Sequence, residues 1–117
     1  MKTILLCGAN GFIGRNILER FARKENYKIR ATYFNSSPLL RYSNVDWVHA
    51  DLRDPVDVRS VMHSVDIVLQ YAATTTGAKD IVSKPYIHVT DNVVMNSLLL
   101  REAFEQHTEH FIMPSCT

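Results

Sequence analysis

The chain has 117 residues, of which 46% are hydrophobic and 21% charged, and its formal net charge is +1. That length suits one domain and is too short for two, and the near-neutral balance excludes the basic footprint of a nucleic-acid-binding surface. No stretch approaches the ~20 apolar residues of a membrane span, and the apolar run 3–7 is too short for a signal peptide, so the expected compartment is the cytoplasm.

Residues 2–7 (KTILLC) form a short apolar run bounded by glycine, as a buried parallel strand does. Gly8, Ala9, Asn10 and Gly11 make a turn. Over residues 12–24 the apolar positions Ile13, Ile17, Leu18, Phe21 and Ala22 have helical spacing. Residues 27–33 alternate as a second strand, with Ile29, Ala31 and Tyr33 on one face. Residues 35–38 (NSSP) are a loop signal. A third strand is expected over 46–50. Asp54 is placed to cap a helix that begins at Pro55 and runs to about residue 64. Residues 66–71 (DIVLQY) read as a fourth strand and 72–84 as a polar loop. A long helix is expected over 85–106, and residues 110–113 open a fifth strand.

Strands alternating with helices demand crossover connections and a parallel sheet covered on both faces. The expected fold is therefore α/β: a Rossmann-type doubly wound sheet, truncated after the fifth strand, forming one domain over 1–117. Cys7 and Cys116 are far apart, lack metal-ligand spacing and fall in expected buried strands, so they read as reduced core thiols, and no metal site is expected. The basic residues Arg23, Lys24, Lys28 and Arg30 read as a solvated helix end.

The spacing Gly8-x-x-Gly11-x-x-Gly14 carries the most chemistry. It lies between a predicted strand and a predicted helix, the context that a phosphate-binding turn requires. The first glycine allows a tight turn, the second lets backbone approach a pyrophosphate, and the third lets the helix pack closely. The helix N-terminus then offers free N–H groups and partial positive charge to an anion.

This spacing, with Phe12 and Ile13 between the last two glycines, resembles the extended short-chain dehydrogenase/reductase family, also called the NAD-dependent epimerase/dehydratase family. The resemblance spans the chain at the level of motif order. It implies a cofactor site formed by Gly8, Asn10, Gly11, Phe12, Ile13 and Gly14. Asp51 and Leu52 look like the family's adenine-contacting pair, in which the carboxylate faces the exocyclic amine and the apolar residue packs on the ring. Tyr71, Ala72 and Ala73 resemble the family's His-x-Ala-Ala segment beside the ribose and nicotinamide, with the usual His aligning near Gln70. Asn92 matches an Asn that supports backbone near the active site. The order of Gly77, Pro85, Asn92 and Ser97 is similar to that of GDP-L-fucose synthase-like epimerase/reductases.

An acidic residue ending the second strand would bind the ribose 2′-hydroxyl of NAD. The expected position is Tyr33, and no Asp or Glu occurs between Lys28 and Val45. Arg30, Ser36, Ser37 and Arg41 are available for a 2′-phosphate. The cofactor is NADP or NAD, with the balance toward NADP.

The family's catalytic Tyr and the Lys four residues beyond it are absent. Residues Tyr27, Tyr33, Tyr42, Tyr71 and Tyr86 are followed, four positions on, by Ala31, Ser37, Asp46, Thr75 and Thr90. The resemblance assigns the substrate-polarising hydroxyl to Ser115 or Thr117, with Cys116 as an alternative occupant of that position. The implied parent transfers hydride between the nicotinamide and a carbon of a nucleotide sugar, while this chain alone is expected to be inactive. A non-catalytic NAD(P)-binding regulator on the same fold is the competing expectation. The apolar stripe Val93, Val94, Leu98, Leu99 and Leu100 adds the expectation of a homodimer.

Overall fold

The computed structural model describes residues 1–74 and 82–115. Strand β1 (Lys2–Cys7) is apolar at successive positions because both of its faces are covered. Ile4 and Leu6 point to one side, Leu5 and Cys7 to the other, and all four are buried. At about 1.5–3 kcal/mol for each large side chain removed from water, this strand is the centre of the core.

Around it lie β2 (Tyr27–Tyr33), β3 (Val45–His49), β4 (Ile67–Gln70) and β5 (His110–Ile112), all parallel, in the order β3-β2-β1-β4-β5. This is the expected Rossmann-type sheet. Chain order reverses between β1 and β4, so the crevice at their C-terminal ends is the topological switch point. Asp66 sets the opposite end of the sheet. Its carboxylate accepts from the Thr3 N–H at 2.8 Å, and its carbonyl accepts from the N–H groups of Glu109 and His110.

Helix α1 (Phe12–Ala22) covers the Ile4/Leu6 face through Leu18, with Ile17 and Phe21 packed alongside. Helices α2 (Pro55–Val61) and α3 (Ile87–Glu105) cover the Leu5/Cys7 face through Val58, Val61, Met95, Leu99 and Ala103. The Asp54 side chain caps α2 by accepting from the Val56 N–H at 2.9 Å, as its place before Pro55 predicts. The two helices are tied by Arg59 and the buried Glu102, 3.6 Å apart, and by Gln106 Nε2, which donates to the Arg59 carbonyl.

Three expectations about the elements are corrected. Both α1 and α2 stop two to three residues short of the predicted ends, where the backbone closes a final turn at Arg23 and at Met62. Helix α3 begins at Ile87 rather than Pro85, and Val82 and Ser83, placed in a loop by the sequence, are helical. The strict alternation of strand and helix also fails between β2 and β3, whose connection carries no helix. That loop is held instead by side chains. Trp47 Nε1 donates to the Leu40 carbonyl at 2.8 Å, while Leu40 and Tyr42 pack against the α1-side core.

Candidate functional site

The turn from β1 into α1 is shaped by what its glycines exclude. Gly8 has φ +73°, the left-handed conformation that glycine adopts at no steric cost, and a Cβ there would lie 2.7 Å from the backbone N and Cα of Ala72. A Cβ on Gly14 would lie 2.0 Å from the Gly8 carbonyl oxygen. Gly11 differs, because its Cβ would meet only that same oxygen at 3.4 Å, an ordinary contact. Gly11 is the N-cap of α1, its carbonyl accepts from the Arg15 N–H, and no side chain caps the helix. The first turn also lacks an acidic residue. The positive end of the helix is thus left open to an anion.

It opens on a cavity of about 470 Å³ at the switch point. The turn contributes Gly8, Asn10 and Gly11; the segment from Thr32 to Ser36 contributes Thr32, Phe34, Asn35 and Ser36. The segment after β3 supplies Ala50, Asp51, Leu52 and Arg53, and the one after β4 supplies residues 71–74. Asp91 and Met95 of α3 complete the lining among the described residues.

Arg53 dominates the electrostatics. Its Nε donates to Asp51 Oδ1 at 2.9 Å, its Nη2 to Asp51 Oδ2 at 3.1 Å and its Nη1 to Asp91 at 3.3 Å. Its guanidinium also lies 5.4 Å from the centroid of the Phe34 ring. These bonds from Arg53 hold the Asp51 carboxyl below the usual carboxylate range, and Asp51 in turn raises the Arg53 guanidinium. On the β4 side, Asn92 Oδ1 accepts from the Thr74 N–H at 2.7 Å and its Nδ2 donates to the Thr74 carbonyl. A second cavity of about 210 Å³ adjoins there, lined by Gln70, Asn92, Asn96, Met113 and Pro114 together with residues 71–73.

The structure brings eight of the sequence-predicted cofactor residues to the main cavity: Gly8, Asn10, Gly11, Asp51, Leu52, Tyr71, Ala72 and Ala73. Asn10 has a second task, because its amide donates to the carbonyls of Ser36 and Ser37 at 2.8 Å and so ties the loop after β2 to the glycine turn. Phe12 and Ile13 project outward, 75% and 56% exposed, leaving only their backbone at the helix end. Gly14 is buried beneath Gly8, and Asn92 borders the second cavity.

Tyr33 is not brought to the cavity. It packs edge-on against Trp47 and His49, with centroids 6.1 and 5.3 Å away, and the neighbouring Thr32 and Phe34 face the cavity instead. Strand parity held that signal, since the alternation that puts Tyr33 with Ile29 and Ala31 puts Phe34 opposite. Arg30 is also removed from the 2′-phosphate candidates, because its Nη1 donates to the carbonyls of Val61 and His63 at the end of α2. Arg53, Asp91 and Met95 were missed; Arg53 pairs with Asp51 only two residues away, whereas Asp91 and Met95 arrive through the packing of α3, which no local motif encodes.

Ser115 is exposed just beyond Pro114 and lines neither cavity. Gly77, Cys116 and Thr117 lie outside the described residues. Among the described residues no group of His, Cys, Asp and Glu side chains could hold a metal ion, and no helix is long and apolar enough to cross a membrane.

The family model described as "NAD dependent epimerase/dehydratase family" matches residues 4–117. The chain belongs to that family. Its fold is shared with UDP-glucose 4-epimerase from Thermotoga maritima, solved with UDP-glucose (TM-score 0.80, 20% identity, covering 95% of this chain and 37% of that one). The Bordetella bronchiseptica enzyme WbmH, solved with NAD+, matches at TM-score 0.79 and 21% identity, over 95% of this chain and 38% of that one. Uronate dehydrogenase from Agrobacterium tumefaciens matches at TM-score 0.77 and 24% identity, over 98% and 41%. The chain therefore spans about two fifths of the length of these structures or less. No curated protein matches it.

Proposed function

We propose that this chain is the dinucleotide-binding part of an enzyme that exchanges a hydride between a nicotinamide and a sugar carbon of a nucleotide sugar. The observation that carries this reading is the uncapped α1 N-terminus at Gly11, opening on the switch-point cavity. Family membership supports it, as do the NAD+ and the UDP-glucose bound in two structural relatives.

The residues fit such a cofactor. The backbone N–H groups of Phe12, Ile13 and Gly14 hold the pyrophosphate at the helix end, where Gly11 leaves room for its approach. Asp51 accepts from the adenine amine, for which Arg53 must release part of its grip, and Leu52 packs on the ring. Ala72 and Ala73 line the path toward the nicotinamide, and Asn92 fixes the Thr74 peptide beyond them. Ser115 or Thr117 polarises the sugar oxygen. The nicotinamide, when bound, supplies the hydride acceptor or donor.

At the ribose 2′ position we favour NAD. Of the candidates for a 2′-phosphate, Arg30 is engaged at α2, Ser37 and Arg41 do not line the cavity, and Ser36 alone does; Arg53, also at the cavity, is paired with two carboxylates. With no Tyr-x-x-x-Lys pair in its 117 residues, the chain binds cofactor without turning over substrate. The exposed Val93, Leu100 and Phe104 of α3 suit a homodimer contact.

Calorimetric titration with NADH and NADPH, on the wild type and on Gly11→Val, tests the reading. Binding of NADH that disappears in the folded variant supports it. Tighter binding of NADPH overturns the preference for NAD. A folded wild type that binds neither overturns the dinucleotide assignment for this chain.

A further inference from the structure

Gln70 ends β4 and is only 3% exposed. A buried amide is tolerated where its donors and acceptor are matched. Here Nε2 donates to the Ala72 carbonyl at 3.0 Å and to Asn96 Oδ1 at 2.9 Å, while Oε1 accepts from the Ala72 N–H at 3.0 Å. The β1–β4 pairing ends at Cys7 and Gln70, so the sheet ladder no longer serves Ala72. One side chain two residues back satisfies both of its backbone groups. Asn96, from α3, takes the remaining donor and fixes the amide's orientation.

The peptide held in this way is the one that Gly8 meets. The missing Gly8 Cβ would stand 2.7 Å from both the N and Cα of Ala72, and Ala72 lines both cavities. Gly8 creates the space, and Gln70 keeps Ala72 in it.

We propose that Gln70, buttressed by Asn96, is a positioning residue that fixes the Ala72 peptide against Gly8 and thereby sets the width of the crevice between β1 and β4. Its effect on cofactor binding rests on the dinucleotide reading above; its effect on Ala72 does not. The chemistry is specific to an amide. A leucine of similar size fills the volume but strands the Ala72 N–H and C=O. At position 96 an aspartate retains an acceptor for Gln70, and a leucine removes it.

The experiment is site-resolved amide hydrogen exchange by NMR on the nucleotide-free 117-residue chain, paired with NADH titration, for the wild type, Gln70→Leu, Asn96→Leu and Asn96→Asp. In Gln70→Leu the Ala72 amide exchanges at least about tenfold faster while the amides of Leu5 and Ile29 keep their rates, and NADH binds at least about tenfold more weakly. Asn96→Leu shows the same local change to a smaller degree, about threefold, and Asn96→Asp behaves as wild type. A folded Gln70→Leu chain whose Ala72 amide exchanges at the wild-type rate overturns the proposal. Should Gln70→Leu not fold, equal Ala72 exchange in Asn96→Leu and Asn96→Asp overturns it. A wild type that binds no NADH overturns the dinucleotide reading instead, and the exchange rates still decide the role of Gln70.

Discussion

The Gly8 carbonyl oxygen lies 2.0 Å from where a Cβ on Gly14 would stand, so helix α1 rests directly on the turn that launches it. The three glycines of the turn are therefore not equivalent, although the motif presents them alike. Two are demanded by packing against backbone, at Ala72 and at Gly8 itself. The middle one would meet backbone only at an ordinary 3.4 Å and lines the cavity.

Substitutions separate these roles. Gly14→Ala forces α1 off its seat and destabilises the fold by at least about 3 kcal/mol, with a fall in Tm of about 10 °C or more. Gly8→Ala adds a left-handed φ to a backbone clash and is comparably severe. Gly11→Ala costs about 1 kcal/mol or less yet weakens NADH binding at least about tenfold, because its methyl group enters the path of the pyrophosphate. Thermal melts with parallel titrations check this, and equal loss of stability in Gly11→Ala and Gly14→Ala would sink the distinction.

Asp54 offers a local test of α2. Its carboxylate accepts from the Val56 N–H at the uncovered end of a seven-residue helix. Asp54→Ala is expected to cost about 1 kcal/mol, or about 4 °C in Tm for a chain of 117 residues. Asp54→Asn, which keeps a capping oxygen, should stay close to wild type. Chemical denaturation of the three proteins measures the difference, and an Asn variant as unstable as the Ala variant would exclude the cap as the cause.

Much of this fold can be read in the sequence because its signals are local. Ile4–Cys7 forms an unbroken apolar run since both sheet faces are covered, and Asp54-Pro55 marks a helix start by its own chemistry. The glycine turn is legible for the same reason. What the sequence hides depends on distant approach. Nothing near Arg30 in the chain indicates that the carbonyls of Val61 and His63 will receive its guanidinium, and nothing near Asp51 indicates that Arg53 will bridge it to Asp91. Gln70 was visible only as a departure from a motif, because its meaning lies in Asn96, 26 residues away.

Cys7 is expected to be chemically silent in the folded chain. Complete burial pushes its thiol up to about 12, with the Thr32 hydroxyl pulling weakly the other way. At pH 8 almost no thiolate is present, and reagents lack a path to it. Iodoacetamide treatment followed by mass spectrometry should leave the Cys7 peptide unmodified under native conditions and label it fully in denaturant. Rapid native labelling of Cys7 would show that β1 opens far more readily than its packing implies.

The Asp51–Arg53 pair gives a pH signature. The folded-state carboxyl of Asp51 titrates below its unfolded value, so whatever the pair contributes is fully present above about pH 3.9 and is lost as pH falls through the depressed value. Because the two side chains are 31% and 41% exposed, solvent screens the pair and its contribution to stability is small. The titration itself is the sharper readout. Carbon-detected NMR of the Asp51 carboxyl should show a depressed midpoint in wild type that returns toward the ordinary carboxylate value in Arg53→Met. Binding of NADH to the wild type should shift the same resonance, since an adenine amine competes with Arg53 for the carboxylate. An Asp51 midpoint unchanged by Arg53→Met would remove Arg53 as the cause of the depression, and with it the argument that this guanidinium is held away from a 2′-phosphate.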